Sequence, residues 1–291
     1  MNRGGAPNVP TRPARDVRPA EVDACSVTWQ LNQRAKELDW YHTLELPDGY
    51  VTPGFFDLRN VARRVPIPRS LAGQRCLDLG ASDGFWSFEM AKRGAAEVVS
   101  VDLDDAARQD WQGPPSADPK RVAGTGRARE AFEAARTLYD LENVTRVDLS
   151  LYDVSPAELG TFDFVFIGNV LMHLADPARA LRAARTVTTG LLLSFEGISL
   201  PLSVLRPIAP CAQLWDLDEP RWWTTNMAGH RRLVEAGGFG VLRSGGPIFQ
   251  PLGDFIPRWP ASIPTRPRHI AFWLFVRRFG CASQWVQAAP R

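Results

Sequence analysis

Cysteine is scarce in this chain, and its placement argues against two kinds of site. Cys25, Cys76, Cys211 and Cys281 are the only cysteines in 291 residues, and they show neither a C-x-x-C pair nor the spacing of Cys/His metal ligands. The pattern supports neither a disulfide framework nor a zinc site, and it predicts free thiols in a reducing compartment.

Lysine and long apolar runs are also scarce. Three of the 34 basic residues are lysines, and acidic residues reduce the net charge to +2, which does not by itself indicate a nucleic-acid partner. No apolar run approaches the roughly 18 residues that a membrane span needs. Residues 1–18 lack the apolar stretch of a secretory signal. We therefore expect a cytoplasmic protein with no membrane partner.

Short apolar runs alternate with helical patterns from residue 74 onward. This alternation predicts an α/β fold in which helices cover both faces of a Rossmann-like parallel sheet. Two further strands, at 239–244 and 269–277, are predicted to complete the sheet as an antiparallel pair. The other predicted strands are 75–79, 97–102, 144–149, 162–167 and 189–195, and the predicted helices are 84–93, 127–140, 176–187 and 227–236.

The flanks of this alternating region divide the chain further. Residues 1–20 are predicted to be a disordered arm, and residues 21–70 an N-terminal cap that begins with a helix near 21–38. The α/β domain is expected to span 71–280, with a tail at 281–291. Irregular insertions at 105–126 and 198–225 are predicted to act as lid segments.

A glycine turn follows the first predicted strand. The turn runs from Gly80 to Gly84, and the next strand ends on Asp102. Glycine allows the backbone to approach a ligand closely, and an acid at this position can accept both hydroxyls of a ribose. The pattern predicts a site for an adenosine-containing cofactor. Ser82 stands where a dinucleotide fingerprint has its second glycine, which disfavours NAD(P).

Four segments in this order resemble the motif series of the class I S-adenosylmethionine (SAM) methyltransferases. The resemblance covers about residues 74–195 and identifies the α/β region as a SAM-binding catalytic domain. The matching segments are Leu77-Asp78-Leu79-Gly80 with Gly84, then Asp102, then Tyr152-Asp153, then Gly168-Asn169-Val170-Leu171-Met172-His173-Leu174-Ala175-Asp176-Pro177.

The resemblance implies a role for each matching position. Asp102 would hold the ribose of SAM, Leu103 would lie against the adenine, and Asp153 would accept from the adenine amino group. Gly168 and Asn169 would close the site after the fourth strand. The methionine half of SAM would be wrapped by Gly80, Ala81, Ser82 and Gly84, with Asp78 beside them.

Three of these acids also have a purely structural interpretation. Asp102 can cap the end of a strand. Asp153 can be the N-cap of a helix that starts at Ser155-Pro156. Asp78 can brace the glycine turn instead of contacting the cofactor.

A closer resemblance links the chain to the tRNA wobble-uridine 5-oxyacetate (carboxymethyl)transferase-like group, whose members use carboxy-SAM. It rests on Trp40-Tyr41-His42, Leu46-Pro47-Asp48-Gly49, Gly84-Phe85-Trp86-Ser87-Phe88 and Arg93-Gly94-Ala95. His42 and Met172 replace a lysine and a tyrosine of that group, and His269, beside Arg268, replaces an arginine. The carboxylate of carboxy-SAM, once buried, needs hydrogen-bond donors or positive charge. Because these replacements remove such groups, we predict ordinary SAM as the cofactor.

Methyl transfer to oxygen requires a base, and histidine is the usual one near neutral pH. His173, after the fourth strand, and His42, in the N-terminal cap, are the candidate catalytic residues. Met172, Trp222 and Trp223 are the candidate substrate-binding residues, although tryptophans also serve as core filler. The acid that would complete a magnesium-dependent catechol-type site is absent, so we assign no metal.

The sequence therefore favours a SAM-dependent methyltransferase with a small-molecule acceptor, an oxygen of a sugar or natural product. A first alternative is a tRNA wobble-uridine methyl- or carboxymethyltransferase, for which clustered arginines would supply phosphate contacts. A second is a SAM-binding module without catalytic activity.

Overall fold

A computed structural model describes Met1 and residues 24–112, 119–215, 221–254 and 274–291. Apart from Met1, the predicted arm lies outside the described residues, as do Arg268 and His269. No helix in the described part of the chain is long and apolar enough to cross a bilayer.

Seven strands form one sheet, in the order β3-β2-β1-β4-β5-β9-β8. The first five are parallel, and β9 is antiparallel to both β5 and β8. The predicted Rossmann-like class I methyltransferase fold is thus confirmed. The strands are β1 (Arg75–Leu79), β2 (Glu97–Asp102), β3 (Val144–Asp148), β4 (Phe162–Gly168), β5 (Thr188–Gly197), β8 (Phe239–Gln250) and β9 (Cys281–Pro290).

Helices cover both faces of the sheet because strand residues alternate between two apolar clusters. Cys76 and Phe164 belong to the cluster under α2 and α3, whereas Leu77 and Val165 belong to the cluster under α5 and α7. The helices are α1 (Ala24–Ala35), α2 (Phe85–Lys92), α3 (Pro119–Leu138), α4 (Pro156–Leu159), α5 (Pro177–Val187), α6 (Leu200–Leu205) and α7 (Met227–Ala236).

Two predictions at the C-terminal end were wrong. Residues 274–277, predicted as part of a strand, lie in a helix that spans 274–279. The predicted tail of 281–291 instead supplies β9, which lies between β5 and β8. The antiparallel pairing itself was predicted correctly, but its second strand lies further along the chain.

The predicted insertion at 105–126 was also partly wrong. A short 3-10 helix occupies Ala106–Arg108, and α3, expected from residue 127, already begins at Pro119. Side chains of the neighbouring loops hold the start of this segment in place. Tyr152 Oη donates a hydrogen bond to the Asp110 carboxylate, and the Ala175 N–H donates to the same oxygen at 2.9 Å.

The N-terminal cap begins with α1, which packs against α3 and forms an Arg34–Glu130 ion pair of 3.3 Å. The chain then runs without regular secondary structure across the glycine turn. Trp40 is 2 % exposed, and its indole N–H donates to the Ala35 carbonyl at 2.9 Å. This hydrogen bond holds the start of the segment that crosses the glycine turn. The aromatic segment after Trp40 is thereby held over the carboxyl end of the sheet.

The insertion at 198–225 forms α6 and a hairpin of β6 (Ala212–Leu214) and β7 (Trp223–Thr225). Asn226 anchors its return to the sheet. The Asn226 side chain accepts from the N–H groups of Gly229 and Cys211, at 2.7 and 3.1 Å, and donates to two carbonyls of the preceding loop. We call residues 198–225 the lid.

Candidate active site

The glycine turn follows the carboxyl end of β1, beside β4, where the strand order reverses. Open α/β sheets bind ligands at this switch point. Gly80, Ser82 and Gly84 all have positive φ, at 82°, 50° and 91°. A Cβ on Gly80 would lie 2.7 Å from Val170 Cβ, so the loop after β4 passes directly against the turn. Glycine is required here by this packing between two loops.

Gly80→Ala is therefore expected to destabilise the protein more than a strained φ alone would. Gly49 is a matched control because its φ is 83° and its Cβ would meet nothing within 4 Å. Gly49→Ala should cost about 1–2 kcal/mol. Gly80→Ala should cost about 1–3 kcal/mol more, because Val170 must move. Urea unfolding measures both changes, and equal losses would contradict the packing explanation.

Asp102 lies at the end of β2 and faces the glycine turn. Its Oδ2 accepts from the Ser82 N–H at 2.6 Å, and its Oδ1 accepts from the Leu103 N–H at 2.7 Å. Burial raises the pKa of Asp102, while Arg146 and these two amides act to lower it. Each carboxylate oxygen can accept a second hydrogen bond. Asp102 is therefore suited to hold two ribose hydroxyls as well as the turn.

Arg146 is a residue of this region that the sequence analysis missed. It lies on β3, its side chain is fully buried, and its Nη1 donates to the Ser82 carbonyl at 2.5 Å. Its Nε donates to Asp104 Oδ1 at 3.2 Å. Arg146 thus supports the glycine turn from below, and the only signal for it was a lone arginine inside an otherwise short strand pattern.

His42 lies directly against the glycine turn and is paired with Asp83. Its Nδ1 is 2.5 Å from Asp83 Oδ1, and Asp83 Oδ2 accepts from the backbone N–H groups of Tyr41 and His42 at 2.8 and 2.7 Å. Asp83 is fully buried, and His42 is 6 % exposed. A carboxylate bound to one ring nitrogen fixes the tautomer and orientation of the imidazole.

Tyr41 lies beside this pair and was not singled out from the sequence. The residue is 39 % exposed, yet burial strongly raises the pKa of its hydroxyl, with Cys281 and Asp83 raising it further and Arg221 opposing them. The groups that act on this pKa include Glu196, Arg221 and Cys281 of β5, the lid and β9, so Tyr41 lies near these three elements.

Glu196 stands at the end of β5 and is 3 % exposed. Its Oε1 is 3.3 Å from the N–H groups of Val170 and Leu171, whereas its buried Oε2 has no hydrogen-bond partner among the described residues. Burial raises the pKa of Glu196 to about 8, with the backbone amides acting in the opposite direction. Burial therefore favours the protonated form of this side chain, which supports the loop after β4.

A stability profile against pH follows from Glu196. Its pKa is higher in the folded protein than in the unfolded chain, so the folded state binds the extra proton. Stability should therefore fall as pH rises from about 5 through 8, by at most about 1.4 kcal/mol per pH unit for one group. Glu196→Gln keeps the acceptor oxygen without the ionisation. The gap between the variant and the parent should widen with pH in urea unfolding, and parallel curves would contradict this.

The remaining predicted cofactor residues differ in their placement. Asp78 is buried and accepts from Ser87 Oγ at 2.6 Å, so its contacts fit the bracing interpretation. Asp153 is exposed and lies 3.9 Å from Arg179, and the N-cap of α4 is Ser155, not Asp153. Asn169 has a φ of 53° and exchanges side-chain hydrogen bonds with Gln250.

Three other predicted site residues, Gly168, Ala81 and Leu103, lie close to the carboxyl end of the sheet. Gly168 ends β4, and a Cβ there would lie 2.6 Å from the Phe166 ring. Ala81 donates its N–H to the Val101 carbonyl at 3.2 Å, which joins the turn to β2. Leu103 follows Asp102 and is half-buried, on the side where the adenine is expected.

His173 and Met172 lie in a 3-10 turn, Leu171–His173, directly after β4. The Met172 carbonyl accepts from the Trp222 N–H at 2.8 Å, which fastens the lid to this turn. Trp222 Nε1 donates to the Asp110 carbonyl at 2.7 Å, and Trp223 Nε1 donates to the Leu174 carbonyl at 2.8 Å. The two tryptophans stack at 5.9 Å and hold the lid over the loops after β2 and β4.

Comparison with known proteins agrees with this geometry. Residues 77–190, from the middle of β1 into β5, match the family model described as "Methyltransferase domain". This match to a methyltransferase domain agrees with the predicted enzyme class, a SAM-dependent methyltransferase.

The curated relatives that this chain matches are ubiquinone biosynthesis O-methyltransferases. The chain is 29 % identical over 149 residues to a ubiquinone biosynthesis O-methyltransferase of Neisseria meningitidis, covering 50 % of this chain and 52 % of the relative. Its counterpart in Hahella chejuensis is 31 % identical over 134 residues, 45 % of each protein. The chain thus spans about half the length of the curated relatives it matches.

A solved structure resembles the described chain over a longer range. The N-terminal domain of EvdMO1, crystallised in the presence of S-adenosylhomocysteine (SAH) and D-fucose, has a TM-score of 0.54 at 18 % identity. The match covers 90 % of this chain and 97 % of that domain.

Proposed function

We propose that this protein transfers the methyl group of SAM to an oxygen of a small molecule, a sugar or natural product. The observation that carries the proposal is the His42–Asp83 pair against the glycine turn. His42 Nδ1 is held by the acid, and Nε2 forms no hydrogen bond with any described residue. An oriented imidazole with one unused nitrogen is a general base.

The chain's own residues divide the work of the reaction between them. When bound, SAM supplies an electrophilic methyl group on a sulfonium. Asp102 and the Gly80–Gly84 turn would hold it, with Leu103 and Asp153 toward the adenine and Gly168 and Asn169 closing the site. His42 would take the proton of the attacking hydroxyl, and Asp83 would stabilise the resulting imidazolium. Positioning the two reactants supplies most of the remaining advantage.

An oxygen acceptor is supported by the similar proteins. The curated relatives are O-methyltransferases by name, and the EvdMO1 domain was crystallised with a sugar, D-fucose. In this chain the acceptor would lie beside Tyr41 and His42, with Met172 after β4 and Trp222 and Trp223 of the lid closing over it. His173, after β4, would contact the acceptor. We place the reaction in natural-product biosynthesis in the cytoplasm.

The carboxymethyltransferase-like group remains the source of a competing proposal, in which carboxy-SAM is the cofactor and tRNA the acceptor. Two carboxyl groups disfavour it. Asp83 contacts His42, the residue that replaces that group's lysine, and Glu196 lies under the loop that carries Met172. A cofactor carboxylate beside Asp83 would meet a like charge, and the buried carboxyl group of Glu196 offers no positive charge. Calorimetry with SAM and carboxy-SAM should show tighter binding of SAM.

Incubation with methyl-labelled SAM and small-molecule extracts of the host tests the proposal directly. Label is expected in a small product and absent from tRNA added in a parallel reaction. Label in tRNA would favour the tRNA alternative. SAM binding without transfer to any fraction would favour the SAM-binding module without catalytic activity.

A further inference from the structure

A second concave surface lies on the sheet face that α2 covers, toward the amino ends of the parallel strands. It is an open depression of about 740 Å³ between the connector that follows Val61, the C-terminal end of α2, and strands β5, β8 and β9. This volume is in the range of small-molecule sites. Four arginines line it: Arg63, Arg69, Arg93 and Arg243. We call it the arginine groove.

Two of the four guanidinium groups are held in place by the fold. Arg93 donates to the carbonyls of Ile67 and Ala62 at 3.0 and 3.4 Å. Arg243 donates through Nε to Gln287 Oε1, and Gln287 in turn donates to the Pro66 carbonyl at 2.7 Å. Because the connector and β9 fix these groups, the positive charge at the base of the groove is pre-organised.

The other two guanidinium groups are exposed. The side chains of Arg63 and Arg69 form no hydrogen bond or ion pair with any described residue. The groove lining includes no acid among the residues that the structure describes. The acid closest to it on α2, Glu89, is already shared between Arg93 and Lys92, at 3.4 and 3.7 Å. Arg63, Arg69 and Arg243, which form no ion pair with any described acid, therefore bring positive charge to one concave surface.

We propose that the arginine groove binds a small organic molecule that carries two or more phosphate groups. Guanidinium groups bind phosphate oxygens in pairs, and the three that have no described acidic partner balance most of the charge of about two phosphates. The apolar walls, Val65, Ile67 and Leu191, would contact the organic part of the ligand. The groove lies at the opposite end of the sheet from the glycine turn, so this ligand is neither the methyl donor nor the acceptor.

Inorganic tripolyphosphate is a suitable probe because it has no adenosine to enter the cofactor site. Calorimetric titration of the full chain at physiological salt should show binding, and Arg63→Ala/Arg69→Ala should weaken it about tenfold or more. Arg64→Ala is the matched control, since Arg64 is exposed in the same connector but does not line the groove. It should change the affinity less than about twofold.

Three results would overturn the proposal: no binding of tripolyphosphate to the parent protein, equal losses in the Arg64→Ala control, or RNA oligomers binding through Arg63 and Arg69 while tripolyphosphate does not. Asp102→Ala should bind tripolyphosphate like the parent protein. The groove and the proposed methyl transfer therefore stand or fall separately.

Discussion

Replacing His42 by alanine is expected to lower kcat about 10²–10⁴-fold while leaving SAH affinity nearly unchanged. The reason is that His42 is the only described histidine bound to a buried acid at the glycine turn, with Nδ1 2.5 Å from Asp83 Oδ1. Asp83→Asn should lower kcat by about 10²-fold or more, because an amide does not fix the same tautomer.

Rescue separates a catalytic role of His42 from a structural one. Added imidazole should restore part of the activity of His42→Ala, because a small base can enter the space of the lost ring. It should not restore the activity of Asp83→Asn. His173→Ala is the comparison variant, with a smaller loss of turnover and no rescue. A large, rescuable loss in His173→Ala together with an active His42→Ala would move the base to the loop after β4.

Asp102→Ala is expected to weaken SAM and SAH binding about 10- to 100-fold, which corresponds to about 1–3 kcal/mol for lost charge-assisted hydrogen bonds. The carboxylate already accepts one backbone N–H on each oxygen and faces the turn from β2. Its removal therefore takes away the ribose acceptor and loosens Ser82 together.

Two further measurements isolate the ribose contribution of Asp102. Asp148→Ala removes the acid at the end of the neighbouring strand, which pairs with Arg108 at 2.8 Å, and should weaken SAH binding less than about threefold. Thermal unfolding without ligand reports the loosening of the turn by itself. If Asp148→Ala and Asp102→Ala lose the same affinity, Asp102 is not the ribose acceptor.

Features written in short stretches of sequence were predictable. β1, the glycine turn, β2 and Asp102 occupy one βα unit, and the pattern of apolar residues, glycines and a terminal acid defines their geometry locally. The parallel order of the sheet followed from the same alternation. This part of the fold was therefore predictable from about 30 consecutive residues.

β9 was not predicted because its sequence lacks the pattern typical of a strand. Ser283, Gln284 and Gln287 are buried in the sheet, so the apolar alternation that marks a half-buried strand is absent. Gln287 is satisfied by Arg243 and the Pro66 carbonyl, partners that only the folded chain brings together. The second antiparallel strand was predicted at 269–277 instead, because that segment is rich in apolar residues.

Only one member of the His42–Asp83 pair could be predicted from the sequence. His42 was a candidate from its position in the cap, but Asp83 lies 41 residues away in sequence and reads as one more turn residue. Their contact depends on a segment without regular secondary structure crossing the glycine turn. Gly80 shows the same limit, because its need for glycine comes from Val170, 90 positions later.

A crystal structure with bound SAH tests the central claim most directly. The ribose hydroxyls should lie within hydrogen-bond distance of Asp102, and the methionine half should lie along Gly80–Gly84. The sulfur should face the side of the turn on which His42 and Tyr41 lie. Nucleoside density at any other place, or a turn that stays unbound at millimolar SAH, would contradict the assignment of this site.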